Sequence, residues 1–410
     1  MEDLWVKIID FFTKFMNEVG NNPFLSQDPN FSIGIPAISA HFLIIKKIQE
    51  YISEIPQYEP ITKENFESLF DSSGKLKDIE LFKLRVFHAG IQSDVFCELL
   101  PFVLGSYPLD SNSNDRKTLI EKQKEHFSLL LEQVKSVSQY QLLRNKKLSN
   151  AFRVITNDVD RTDRNHPAFE KSGSIGMTLL TTLLRSYCLY DFNIGYLQGM
   201  NDLFIPIIFS YYPKWDKEGN PIDDEGNILD VNDHISDIFW CYNSMMKTID
   251  HAELISNVKD QCLLKAQIVV ERLTKICPMI TIWLKNYDLT NLLWVYQDFV
   301  LLYKRTWTNI WDLWLQMFSF KQPKYFLIYF ITATIILIFP KIAERENVLI
   351  TTVMDSFPKE LEKMDPKEIG KVALWVAENA PIEAEEQKIE NEMSNVKYEY
   401  KLCELFDKQK

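Results

Sequence analysis

The chain has 410 residues, 46% hydrophobic and 25% charged, an ordinary soluble composition that at ~150 residues per domain suggests two or three lobes. Only 12 Gly and 17 Pro leave little room for turn-rich β architecture. A net charge of −12 excludes general binding to a nucleic-acid backbone, and six Cys without a C-x-x-C pair exclude an obvious disulfide framework or zinc ribbon. The expected compartment is the reducing cytosol.

The apolar period is helical almost throughout, and the predicted fold class is all-α. Residues 1–20 begin acidic and are interrupted by charge, so no secretory signal is expected. Leu4, Ile8, Phe12, Phe15, Met16 and Val19 predict a first helix that stops at Gly20. Phe42, Ile45, Ile48 and Ile52 predict a second after Pro36. With a polar connector over 54–71 holding Pro56 and Pro60, these make residues 1–57 an N-terminal helical extension and connector. The two stripes are expected to pack on the domain that follows.

A Ser-Ser-Gly turn at 72–74 and a Ser/Asn loop at 110–115 come next. Residues 117–150 predict one or two long helices with Phe127, Leu130, Val134 and Val137 inward, and 177–189 another. Residues 213–233 break the pattern with seven acids against two Lys, a surface loop or small hairpin near which two helical lobes are expected to meet. An EF-hand is excluded there, because neither Gly219 nor Gly226 has an Asp five residues before it. Helices resume at 235–248, 261–276, 290–303, 310–318, 325–339, 348–362 and 366–379, and 381–410 is a charged tail. Residues 325–339 carry no charge but are shorter than the ~20 residues a spanning helix needs, so they predict a buried core helix.

Several chemistries have no motif to carry them. There is no G-x-x-x-x-G-K-[ST] to hold a nucleotide, no G-x-G-x-x-G after a strand, no i, i+4 His pair for zinc and no G-x-S-x-G. Cys188 and His166 could form a thiol–imidazole pair, but Cys188 lies on an apolar helix face and reads as core.

Two segments are chemically denser than their neighbours. In Ile155-Thr-Asn-Asp158-Val-Asp-Arg161, helical spacing lines up an aliphatic anchor, a carboxylate and a guanidinium, and the carboxylate can fix the guanidinium in one rotamer. In Gly195-Tyr196-Leu-Gln198-Gly199-Met-Asn201-Asp202, two glycines free the backbone to present Gln198 from a loop, and Asn201 or Asp202 can cap a helix from Leu203. Taken singly, the first is a charged helix end and the second a helix–loop–helix turn.

Together, Ile155-x-x-Asp158-x-x-Arg161 and Tyr196-x-Gln198 resemble the paired signatures of the TBC domain, the Rab GTPase-activating proteins. The longer runs Asp158 to Arg164, Tyr190 to Leu203 and Phe239-Trp-Cys-Tyr242 resemble the subgroup of the yeast vacuolar Rab GAP and its animal late-endosomal and mitochondrial relatives. The resemblance extends over about 58–380. It implies a two-lobed helical domain that takes a GTP-bound Rab as partner, with Arg161 and Gln198 as catalytic fingers supplied in trans. Ile155, Asp158, Tyr196 and Gly199 would support them. It implies no metal or cofactor of the chain's own, since Mg²⁺ and GTP arrive with the Rab. It implies cytoplasmic work with recruitment to endosomal or other vesicle membranes through the Rab.

Two stretches depart from the subgroup. Phe96 and Leu100 stand where an Arg and a Trp are usual, and Tyr296-Gln297-Asp298 replaces a Phe-Arg pair. The first change bears on packing and the second on the groove or the choice of Rab. The acidic segment 213–233 resembles an insertion. The alternative readings are a catalytically silent TBC fold that docks a Rab or adaptor, and a membrane-anchored helical protein.

Overall fold

The computed structural model describes residues 29–343 and 349–383, with side chains from His41 onward. In chain order the helices are α1 (Pro29–Glu54), α2 (Lys63–Phe66), α3 (Ile79–His88), α4 (Phe96–Val103), α5 (Ser113–Ser136), α6 (Gln139–Arg144) and α7 (Lys146–Val159). Then follow α8 (Pro167–Glu170), α9 (Ile175–Tyr190), α10 (Met200–Tyr211), α11 (Ile235–Thr248), α12 (His251–Ser256), α13 (Val258–Ile276) and α14 (Pro278–Asn286). The last are α15 (Tyr296–Leu301), α16 (Trp311–Ser319), α17 (Pro323–Ala343), α18 (Ile350–Leu361) and α19 (Pro366–Asn379). Among the described residues extended pairing is confined to isolated bridges, so the all-α prediction holds. The predicted helix at 4–19 and the tail from 384 lie outside the described residues.

Polar side chains set many helix starts by taking backbone N–H groups that the first turn leaves unpaired. Asp78 accepts from Leu81 N–H at 2.9 Å, and Asn112 and Asp115 cap each other reciprocally. The stretch 117–150 resolves into α5, α6 and α7, because Ser138 and Asn145 each cap the helix that follows: Ser138 Oγ accepts from Gln141 N–H and Asn145 Oδ1 from Leu148 N–H.

The described residues divide into two compact units. One comprises Gln57–Cys262 and Tyr296–Leu327. Its axis is α9, which packs on α5, α7, α10 and α11 around fully buried Leu180, Leu183, Phe204, Phe239 and Tyr242. The Phe204 and Tyr242 rings stack with centroids 3.5 Å apart, and Trp240 Nε1–H donates to Gln123 O, tying α11 to α5. Each such buried aromatic contributes on the order of 2 kcal/mol through area removed from water.

The other unit comprises the described residues up to Pro56, Leu263–Val295, and those from Ile328. Here α1 packs on α14 and α19, with Ile45 and Ile48 buried and Tyr51 donating to Glu378 at 2.6 Å. The predicted stripe at 38–52 is therefore packed within a unit rather than free. Helix α17 is long and apolar enough to cross a membrane, yet 89% of its most apolar stretch is buried in the protein, as in a core helix. In this unit Phe339 stands edge-on to Trp283, and Tyr329 Oη accepts from Ile382 N–H.

All of the acidic segment 213–233 belongs to the first unit. It folds as two successive tight turns of the same pattern, Asp216-Lys-Glu-Gly-Asn220 and Asp223-Asp-Glu-Gly-Asn227. In each the Asp Oδ1 accepts N–H groups two and four residues on, and the Gly takes a φ above +80° that its missing Cβ permits. The predicted helix 290–303 is broken. A 3₁₀ turn at Leu293–Val295 leads into short α15, and Leu302 and Tyr303 then turn left-handed with φ of 49° and 62°. Both are fully buried, and Trp314 Nε1–H donates to Leu302 O at 3.0 Å, so packing and a hydrogen bond hold a conformation these residue types disfavour.

Candidate functional site

The two dense motifs meet in the first unit. Helix α7 is amphipathic, with Leu148, Phe152, Ile155 and Val159 buried and Ile155 fully enclosed. It ends at Val159, so Arg161 lies in the turn beyond the helix rather than on it, its N–H donating to Asp158 O at 3.2 Å. The i, i+3 pairing read from the sequence nevertheless forms: Arg161 Nη2–H donates to Asp158 Oδ1 at 2.5 Å. The partners differ in setting. Asp158 is 2% exposed and the Arg161 side chain 63% exposed, so a buried carboxylate carries an outward guanidinium.

Asp158 is also the joint between the motifs. Tyr196 Oη–H donates to Asp158 Oδ2 at 2.6 Å and lies 3.1 Å from Asn201 Oδ1. Thr162 Oγ donates to Asp158 O and accepts from Asn201 Nδ2–H at 2.8 Å. Asn201 Oδ1 accepts from Gly199 N–H at 3.2 Å. Burial first, and then the Asp158 carboxylate, push the Tyr196 hydroxyl far above the ordinary tyrosine range, so it stays a donor.

The turn presenting Gln198 is fixed at both ends. Gly195 and Gly199 have φ of 70° and 106°. A Cβ on Gly199 would lie 3.1 Å from Leu301 Cδ2, so glycine is required there by close approach as well as by backbone conformation. Before the turn, Lys147 Nζ donates to Phe192 O and Asn193 O and stands over the Phe192 ring, clamping the loop to α7. Gln198 itself is exposed, and among the described residues its side chain has no hydrogen-bond partner.

Sequence reasoning misplaced the helix start. α10 begins at Met200 after a left-handed Gly199, not at Leu203, and neither Asn201 nor Asp202 caps it. Both are buried in its first turn, where their side chains serve the network instead. Asp202 accepts from Arg305 Nη2–H at 2.7 Å and is 3.5 Å from Lys304 Nζ, which also donates to Asp163 Oδ2 at 2.6 Å. Lys304 thus bridges the two motifs from a third segment, and Arg305, 58% exposed, repeats the arrangement of Arg161. No sequence pattern groups Asn201, Asp202, Thr162, Lys304 and Arg305. The adjacent Lys304-Arg305 after an apolar run is the local signal that points to them.

The departures from the family pattern are accommodated. Phe96 opens α4 edge-on to Trp311 at 5.0 Å, and Leu100 is fully buried, so both act in packing. Gln297 is exposed and Asp298 half-buried on α15, whose last residue, Leu301, borders Gly199. Cys188 is buried, and the core environment pushes its thiol up to about 11, which disarms it as a nucleophile. His166 packs at a tilt against the Phe209 ring instead.

Comparison with known proteins bears on the family and the fold. The Rab-GTPase-TBC domain family matches residues 101–343. The chain is 30% identical over 190 residues to TBC1 domain family member 17 of Mus musculus, covering 46% of this chain and 26% of that protein. It is 27% identical over 303 residues to GTPase-activating protein GYP7 of Candida glabrata, covering 65% of this chain and 37% of that one. It therefore spans only about a quarter to a little over a third of these curated relatives. Among solved structures the Ypt/Rab-GAP domain of Gyp1p superposes with a TM-score of 0.60 at 14% identity, covering 77% of this chain and 97% of that one, a likeness of fold. With more than half its length matched by the family and the fold shared, the chain belongs to the Rab-GTPase-TBC domain family.

Proposed function

We propose that this protein is a GTPase-activating protein for a Rab-type small GTPase in its GTP-bound state, supplying Arg161 and Gln198 in trans. One observation carries the reading. An exposed guanidinium is fixed on buried Asp158, and the same carboxylate binds Tyr196 of the turn that presents exposed Gln198. Two outward polar groups with different chemistry are thereby held on one internal frame.

A Rab hydrolyses GTP slowly while charge on the transferring phosphoryl group is poorly compensated. A guanidinium delivered in trans stabilises that charge and is worth ~10³–10⁵ in rate, or roughly 4–7 kcal/mol of barrier. Arg161 is the group for this, since its fork can donate two parallel hydrogen bonds to phosphate oxygens. The Gln198 amide can both donate and accept, as orienting an in-line water requires. Asp158 would orient Arg161, Tyr196 would hold the two motifs in register, and Ile155 would anchor the helix end. Mg²⁺ and GTP come with the partner. The cytoplasm is where such a partner is met, and a membrane would be reached through the Rab.

The test is single-turnover GTP hydrolysis across a Rab panel. At least one Rab should be accelerated by substoichiometric wild-type chain and not by Arg161→Lys. A Rab bound tightly but never accelerated would instead make the chain a docking module.

A further inference from the structure

Away from this site, the outer face of α7 lines a concavity. It is a cleft of about 520 Å³ between the end of α5, α6, α7 and α9. Lys135, Arg153 and Arg185 converge on it, and no Asp or Glu is among its lining residues. In a chain of net charge −12, three cations in one cleft without a lining acid are unexpected. None of the three forms an ion pair among the described residues.

Arg185 is the best defined of them. Its guanidinium lies over the Phe152 ring at 4.9 Å, which fixes its plane. Nη2 makes only a long contact of 3.4 Å to Thr156 Oγ, and the buried Nε–H has no protein partner. Arg153 spends one N–H on Asn150 Oδ1 and keeps the others. The hydroxyls of Thr156, Thr181 and Thr182 donate to carbonyls of their own helices, so the cleft's free donors are the three cations with Ser149 and Gln139 at the rim. A buried, unpaired N–H is costly to leave unmade, and a guanidinium pinned on an aromatic face is already ordered for a bidentate acceptor.

We propose that this cleft binds a multiply phosphorylated small group, the chemistry common to a phosphoinositide headgroup and a soluble inositol polyphosphate. Three cations lining one cleft carry more positive charge than one phosphate neutralises, and two or more phosphates match them together. The chain's overall field repels anions, so retention depends on these short-range contacts and not on long-range attraction. Helix α7 would then carry a regulatory ligand on one face and the Asp158 frame on the other.

The test needs no GTPase and is independent of the activating role. Inositol hexakisphosphate is titrated into the whole chain by calorimetry at physiological ionic strength, with inorganic phosphate as control. Saturable one-to-one binding is expected, weakened roughly tenfold or more in Arg185→Gln and lost when Lys135→Gln, Arg153→Gln and Arg185→Gln are combined. Arg153→Gln alone, at an exposed position, should also weaken binding, and it preserves the test if the half-buried Arg185 is needed for folding. In the second arm, vesicles carrying phosphatidylinositol bisphosphate are compared with vesicles of equal charge made from phosphatidylserine. Preference for the bisphosphate vesicles assigns the lipid headgroup, and binding of inositol hexakisphosphate without vesicle binding assigns a soluble ligand. Undiminished binding by the variants, no saturation by the wild type, or equal binding to the phosphatidylserine vesicles would overturn the site.

Discussion

Arg161→Ala and Asp158→Ala remove opposite ends of one ion pair, and the structure gives them different consequences. The Arg161 side chain is 63% exposed, so its pairing with Asp158 contributes no more than about 1 kcal/mol to stability. After Arg161→Ala the carboxylate still accepts from Tyr196 at 2.6 Å, so the fold should lose almost nothing. If Arg161 stabilises the transferring phosphoryl group, the same change raises the barrier by roughly 4–7 kcal/mol. Asp158→Ala differs because Asp158 is 2% exposed. It takes away the main acceptor of the Tyr196 hydroxyl, leaving Asn201 Oδ1 at 3.1 Å, and a buried donor so weakened costs about 1–3 kcal/mol. That variant should lose both stability and rate. Urea denaturation and single-turnover GTP hydrolysis on the same preparations separate the two. The reasoning fails if Arg161→Ala keeps the wild-type rate, or if it destabilises the chain as much as Asp158→Ala does.

Gln198→Ala should leave the melting temperature unchanged, because the side chain is exposed, and should lose much of the single-turnover rate; a Rab whose own switch Gln is replaced by Leu should stay sensitive to the wild-type chain, and full resistance of that Rab alongside full activity of Gln198→Ala would sink the glutamine role. Gly199→Ala must keep a φ of 106° and fit a Cβ 3.1 Å from Leu301, so thermal denaturation should show a loss of at least about 1 kcal/mol together with lower activity, and a wild-type melt would show that the turn relaxes. His41 Nε2 lies 2.6 Å from Ile336 O in a buried setting, and burial lowers the ring from 6.5 to about 4. Below pH 6.5 the unfolded chain takes up a proton that the folded chain refuses, so stability falls with pH, by about 3 kcal/mol by pH 4. Denaturation across that range should be flatter in His41→Gln by this amount, and superimposable wild-type and variant curves would exclude His41 as the cause.

What was legible in the sequence was what is local. The amphipathic period of α7 and the i, i+3 spacing of Asp158 and Arg161 mark the pair in the sequence itself, and the glycines at 195 and 199 mark the turn. What was not legible is set by distant partners. Lys304 reaches Asp163 and Asp202 across 141 and 102 positions, and no periodicity connects them. Asn201 and Asp202 read as caps because that is the commonest local use of such residues, yet in the fold their side chains are drawn into longer-range bonds. The 290–303 error has the same origin. Leu302 and Tyr303 carry no turn signal, and only burial and the Trp314 hydrogen bond make left-handed backbone tolerable there.

The way Asp158 holds Arg161 bears on what that carboxylate contributes to the proposed chemistry. A guanidinium has five N–H donors in a rigid fork, and only one is given to Asp158. The remaining donors can still include a parallel pair for phosphate oxygens, so the brace and the catalytic contact do not compete. An unbraced arginine would lose about 2 kcal/mol of rotamer freedom on entering a partner's nucleotide site, and Asp158 removes much of that cost before the partner arrives. Lysine at 161 would keep the charge but not this division of labour. Its ammonium has three donors around one atom, so a proton given to Asp158 leaves no planar fork for phosphate. Arg161→Lys should therefore retain partner binding and lose the rate, which places the value of the residue in its geometry rather than in its charge alone.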